Sequence, residues 1–254
     1  MFNGVTVASD GSVYTAGYLI GTGTYDIGNG ITAAGGLDGR NSLLVKYDSA
    51  GTVQWARTVN ATPGTTDVVS KVEFNGVTAA SDGSIYAAGS IGSIGIFDFG
   101  NSAAVTGTNV RGNDAVVLVK YDATGAAQWA RTVSSGDDFD SSLFHSVSAA
   151  PDGSVYAAGN MYGIGTFDFG GGASTIGTVY ERIILVKYSR TGTAQWVDTL
   201  VPGTNSSWCY GVSAASDGSV YAAGWIYGPD LFDFGNAVTA TGNSVENFFL
   251  VKYQ

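Results

Sequence analysis

Four times in 254 residues the chain writes the same string: DGSVYTAG from Asp10, DGSIYAAG from Asp82, and DGSVYAAG from Asp152 and again from Asp217. These starts lie 72, 70 and 65 residues apart. Three more strings keep the same order. TYDIGN, IFDFGN, TFDFGG and LFDFGN begin at Thr24, Ile96, Thr166 and Leu231. LVKY-type strings place lysines at Lys46, Lys120, Lys187 and Lys252, and GxxQW ends at Trp55, Trp129 and Trp196. A unit repeated at such a period fixes the architecture before any single residue does. The repeats run over about 2–73, 74–143, 144–208 and 209–254, and together they read as a single domain spanning 1–254.

Within a unit the pattern is short strands and tight turns. Gly76–Ala80 is small and β-compatible, and meets the turn Ser81-Asp82-Gly83. Ser84–Ala88 alternates and ends at Gly89. Val116–Tyr121 is nearly continuously apolar, as in a strand buried on both faces. The turn Asp122-Ala123-Thr124-Gly125 leads into Ala127–Val133. Asp-Gly and Thr-Gly corners tolerate the positive φ of hairpin turns. No stretch carries apolar residues at helical spacing over three turns. The reading is all-β: four antiparallel strands per unit, with an extra hairpin or loop around the DFG string.

In-line four-stranded units become the blades of a β-propeller. Small residues fill the opening strand, where blades crowd the axis, and tryptophans fill the outer strand, where there is room. The ordered combination DGSVYAAG…FDFGN…LVKYDxxGxxQWARTV resembles the bacterial β-propeller repeat of the SBBP type, named for seven-bladed propellers. The resemblance covers essentially the whole chain. It implies a non-catalytic scaffold in a secreted, periplasmic or lipid-anchored surface protein, and it brings no catalytic motif to carry over. Four units fall short of the seven in the family's name.

Composition removes several classes of function. A net charge of −10 argues against a nucleic-acid partner, which draws on clustered Lys and Arg. One cysteine excludes an intrachain disulfide framework and any multi-cysteine metal site. No apolar run reaches the ~20 residues of a membrane-spanning helix, and Met1-Phe2-Asn3-Gly4 does not begin a signal peptide. With 38 glycines, about twice the usual share, the chain is rich in turns, yet its apolar content supports a core.

Chemistry-bearing motifs are few. Asp98, Asp168 and Asp233 recur once per repeat without the other parts of a kinase site, so DFG reads as a turn. No HExxH or GxSxG is present. Cys209 occupies the place of Phe2, Phe74 and Phe144, and reads as a small buried apolar group rather than as half of a dyad with His145. Asp137, Asp138 and Asp140 form the densest acidic cluster; as a calcium site it lacks the glycine and terminal glutamate of an EF-hand loop, so a solvated loop is expected, with no change of stability on chelation. The four repeat lysines read as a structural feature, paired to the DFG-type aspartates. No cofactor is expected.

Comparison of the copies separates scaffold from variation. Tyr to Trp is 8 residues in all three complete units, whereas the crossovers 60–73, 134–143 and 201–208 have 14, 10 and 8. All length variation thus falls on one face, where binding loops usually reside. Identity varies there too. The second residue of each opening strand is Asn3, Asn75, His145 or Tyr210, and the residue after each Ala-Gly is Tyr18, Ser90, Asn160 or Trp225. The last unit is the most aromatic, with Trp208, Tyr210, Trp225 and Tyr227. These suit a glycan or a protein ligand. Trp208, Tyr210 and Trp225 are expected to line one cleft, with Trp225→Ala abolishing binding at little cost in stability. A binding scaffold is the leading reading; the alternatives are a polysaccharide lyase or glycosidase using the propeller rim, or a self-assembling structural repeat. The fourth unit stops after LVKY without a QW strand, leaving Phe249–Val251 as an exposed sheet edge and a route to self-association.

Overall fold

The computed structural model describes residues 1–64, 70–108, 111, 113–135, 139–200 and 205–253. No helix occurs among them, and so none is long and apolar enough to cross a membrane. The chain divides into two compact units, Met1–Thr132 and Val133–Gln254, each holding two repeats.

Every repeat builds one antiparallel sheet whose strands lie side by side in chain order. In the first unit these are Phe2–Val7, Val13–Ile20, Arg40–Tyr47 and Val53–Thr58, followed by Lys71–Ala79, Ile85–Gly92, Ala115–Tyr121 and Ala127–Thr132. In the second unit they are Ser141–Ala149, Val155–Asp168, Ser174–Tyr188 and Ala194–Thr199, followed by Ser207–Ala214, Val220–Tyr227 and Glu246–Tyr253. The fourth sheet has three strands among the described residues, as the lost QW string requires. The expected bare edge is only half apolar surface: Phe248 and Leu250 are exposed, whereas Phe249 and Val251 are buried on the other side.

The turns follow from the strings. In each DGS corner the aspartate Oδ1 accepts the backbone N–H of the serine two residues on, at 2.8–2.9 Å for Asp10, Asp82, Asp152 and Asp217. The intervening glycine sits at φ near +81° to +86°, which a side chain resists. These backbone bonds hold the Asp10, Asp152 and Asp217 carboxyls below their usual range. The DFG strings make a second hairpin inserted between strands two and three. Asp98, Asp168 and Asp233 accept from the glycine N–H two residues on, at 2.8–2.9 Å. The two phenylalanines of each of these three strings are buried. The crossover from the preceding repeat adds a third strand to two of these hairpins: Asn60–Pro63 pairs with Ile94–Asp98, and Ser134–Ser135 pairs with Phe167 and Asp168.

The repeat lysines are not paired to the DFG aspartates. Lys46, Lys120, Lys187 and Lys252 lie 5.5–5.8 Å over the rings of Tyr14, Tyr86, Tyr156 and Tyr221, a cation–π contact. Lys46, Lys187 and Lys252 add their charge to Asp10, Asp152 and Asp217 instead. Tyr14, Tyr86 and Tyr156 in turn meet Trp55, Trp129 and Trp196 at 5.8–5.9 Å. DGS, LVKY and QW therefore recur together because they build one Lys–Tyr–Trp stack across three strands.

Each sheet has two unlike faces. One, called forward here, carries the Tyr of DGSxY, the next alanine but one, and the Lys and Leu of LVKY. The backward face carries the opening-strand Phe or Cys and the Val of LVKY. In the first unit, the forward face of the first sheet packs on Lys71–Ala79 of the second. In the second unit, Ala158, Ile183 and Leu185 pack into the same core as Cys209, Ala222, Phe249 and Val251. The inserted hairpin also lies on the backward face, where Phe99 meets Phe74 at 5.9 Å and Phe234 meets Phe249 at 4.9 Å. Cys209 thus does stand in the Phe slot, paired to Gly224 as Phe74 is to Gly89. The lost ring is replaced from two strands away by Phe249, where the other repeats have Leu43, Val117 and Ile184.

Candidate functional site

A β-bulge interrupts the opening strand of every repeat at the same place: between Phe2 and Gly4, Phe74 and Gly76, Phe144 and Ser146, and Cys209 and Gly211. The extra residue is Asn3, Asn75, His145 or Tyr210, the position where the copies differ. A bulge leaves one residue outside the ladder and re-aims its side chain. It also pushes a carbonyl inward. At Gly17, Gly89, Gly159 and Gly224 a Cβ would overlap the carbonyl oxygens of Met1, Glu73, Leu143 and Trp208, which explains the constant glycine of the Ala-Gly pair. The scaffold residue is fixed so that its neighbour across the ladder can vary.

Bulged residues of successive repeats meet. In the first unit the Asn3 side-chain amide donates to the Phe74 carbonyl at 3.0 Å and to Asn75 Oδ1 at 3.3 Å. In the second, the His145 and Tyr210 rings lie 4.7 Å apart, and His145 Nε2 is 2.7 Å from Asn160 Oδ1. Each unit thus carries a partly exposed pair, of amides in one and of an imidazole and a phenol in the other. Such a pair offers planar hydrogen bonds and a stacking surface to a ligand, with no nucleophile in the row.

The other expected positions fall into different roles. Asn160 is buried and holds the imidazole, and Ser90 is buried as well. Tyr18 lies under the Arg40 guanidinium at 4.7 Å and donates to Met1 Sδ at 3.1 Å. Trp208 and Trp225 stack at 3.8 Å, with 22° between their planes. Tyr210 and Trp225 line one groove of about 470 Å³ with Ala223 and Phe248, but Trp208 is not part of its wall. The stack also couples Trp225 to the fold, so Trp225→Ala carries a stability cost, against the sequence expectation. Tyr227 is exposed on the Trp225 side of the sheet, opposite Glu246.

Asp137 and Asp138 lie outside the described residues. Asp140 is not a solvated loop residue: it is buried, and its Oδ1 accepts the Gly165 N–H at 3.0 Å. Its counterparts, four residues before each opening Phe or Cys, are Ser70 and Asn205. Ser93 donates to Ser70 at 3.0 Å and Asn205 donates to Asp230 at 2.8 Å, so this position pins the opening strand to the base of its hairpin. Sequence reading missed that role because the residue type changes from Ser to Asp to Asn while the bond persists. No cluster of three or more metal-ligating side chains occurs among the described residues. Cys209 is buried, burial pushes its thiol up to about 11, and its sulfur contacts the Gly211 and Ala223 carbonyls at 3.6 and 3.5 Å rather than His145.

These features define the protein as an all-β repeat protein in which a constant scaffold presents one variable bulged residue per repeat. No family model matches the chain, and no curated protein matches it.

Proposed function

We infer that the chain is a β-propeller-type binding scaffold, acting on or outside the bacterial cell, and that the bulged row is its ligand-contacting surface. The observation that carries this is the coincidence of bulge and variability: Asn3, Asn75, His145 and Tyr210 occupy the one strand position that an invariant glycine keeps out of register. Support for the propeller comes from four sheets with strands in chain order, and from the forward-on-backward packing inside each unit. The cell-surface setting rests on the resemblance to SBBP-type repeats. Amide, imidazole and phenol groups without a clustered charge fit a neutral glycan or an extended peptide better than a charged ligand.

The test is binding of the chain to a glycan array and an extended-peptide array, alongside Tyr210→Ala. Selective binding that this variant reduces at least tenfold, with the melting temperature nearly unchanged, is the expected result. Absence of selective binding on both arrays refutes the reading.

A further inference from the structure

Two faces that the repeats bury elsewhere are open in this chain. Forward-face Leu44 and Leu185 are 0% and 1% exposed because the following repeat of their unit packs on them; the equivalent Leu250 is 73% exposed and the neighbouring Phe248 91%. On the backward face, Phe74 and Cys209 are each 1% exposed, whereas the equivalent Phe2 is 47% exposed, with Val5 and Val7 at 66% and 65%. The two open faces are thus the two unlike halves of a contact made once inside each unit.

The groove on the fourth sheet fits that contact. Its Gly211 is the counterpart of Gly4, and a Cβ on Gly4 would meet the Asn75 carbonyl and the Gly76 Cα at 3.2 Å. In the first unit this bed therefore holds the bulge segment of the following opening strand. The groove bounded by Tyr210, Gly211, Trp225 and Phe248 is the same bed without that strand.

We propose that this groove and the surrounding forward face of the fourth sheet receive the first sheet of a second copy of the chain. Phe2 and Val5 of the incoming copy lie over Leu250 and Phe248, as Phe74 and Val77 lie over the first sheet within one copy. The contact is head to tail, so the two surfaces differ and each copy has one of each. It leaves the bulged row partly open, since Asn3 stays exposed when the second repeat packs beside it. The net charge of −10 on each copy opposes the contact, so added salt favours it.

Sedimentation analysis of the 254-residue chain, Leu250→Asp, Val5→Asp and their equimolar mixture tests this. The wild-type chain is expected as multiples of its 26.0 kDa, and each variant alone as a monomer. The mixture is expected to form dimers and nothing larger, because one intact head meets one intact tail. Both side chains face solvent, and Phe248→Ser with Val7→Ser serve as a second pair should either aspartate variant fail to fold. A monomeric wild-type chain overturns the proposal. So does a single variant that keeps the wild-type mass, which would mark a symmetric contact, or a mixture that stays monomeric. None of these substitutions touches the bulged row, so ligand binding and assembly are scored separately.

Discussion

Phe74→Ala is expected to destabilise the first unit by about 3–5 kcal/mol, and Phe2→Ala by about 1 kcal/mol or less. The two residues hold the same place in successive repeats, each opposite the glycine of an Ala-Gly pair. Phe74 is buried and stacks on Phe99, so truncation leaves a ring-sized cavity between the second sheet and its hairpin. Phe2 is half exposed and gives up little burial when truncated. Denaturant unfolding at low protein concentration, where copies do not meet, reads both values. Equal losses would show that Phe2 is covered in the isolated chain and that its face is not open.

Gly159→Ala is expected to cost about 3 kcal/mol, a large effect for one methyl group. The cause is backbone against backbone. The added Cβ would overlap the Leu143 carbonyl oxygen, and the ladder must open at the bulge to admit it. His145 sits in that bulge, so the same change disturbs its contacts with Asn160 and Tyr210. Gly211→Ala is the control, since open space surrounds a Cβ there in the single chain and a small loss is expected. Thermal and denaturant melts of the two variants decide the point. A loss at Gly159 no greater than at Gly211 would mean that the close approach is not what keeps the glycine.

The strand order and the missing seventh strand of the second unit were legible because the strings are regular enough to align by eye. The DGS and DFG corners were legible for the same reason, since Asp and Gly at fixed offsets specify a turn. The long-range roles were not. The lysines look like partners for aspartates in sequence, but their nearest neighbours are tyrosine rings two strands away. Asp140 looks like part of an acidic loop because its neighbours in sequence are acidic, while its bond runs to Gly165 across the hairpin base. The bulge was half legible. The variable position was visible at Asn3, Asn75, His145 and Tyr210, but without a register nothing marked it as the residue outside the ladder. The aromatic cluster was read as one cleft because Trp208, Tyr210 and Trp225 are close in strand order. The register instead sets Trp208 against Trp225 as a stacked pair and turns Tyr210 into a groove wall.

The central claim is that the scaffold is constant and the bulged side chains carry recognition. It is tested most directly by giving the second unit the amides of the first, in the double variant His145→Asn with Tyr210→Asn, and repeating the glycan and peptide arrays beside a thermal melt. The expected result is a melting temperature within about 3 °C of the wild-type chain, since only an exposed ring contact is lost, together with loss of the wild-type binding profile. An unchanged profile, or a melting temperature lowered by much more than that, contradicts the account.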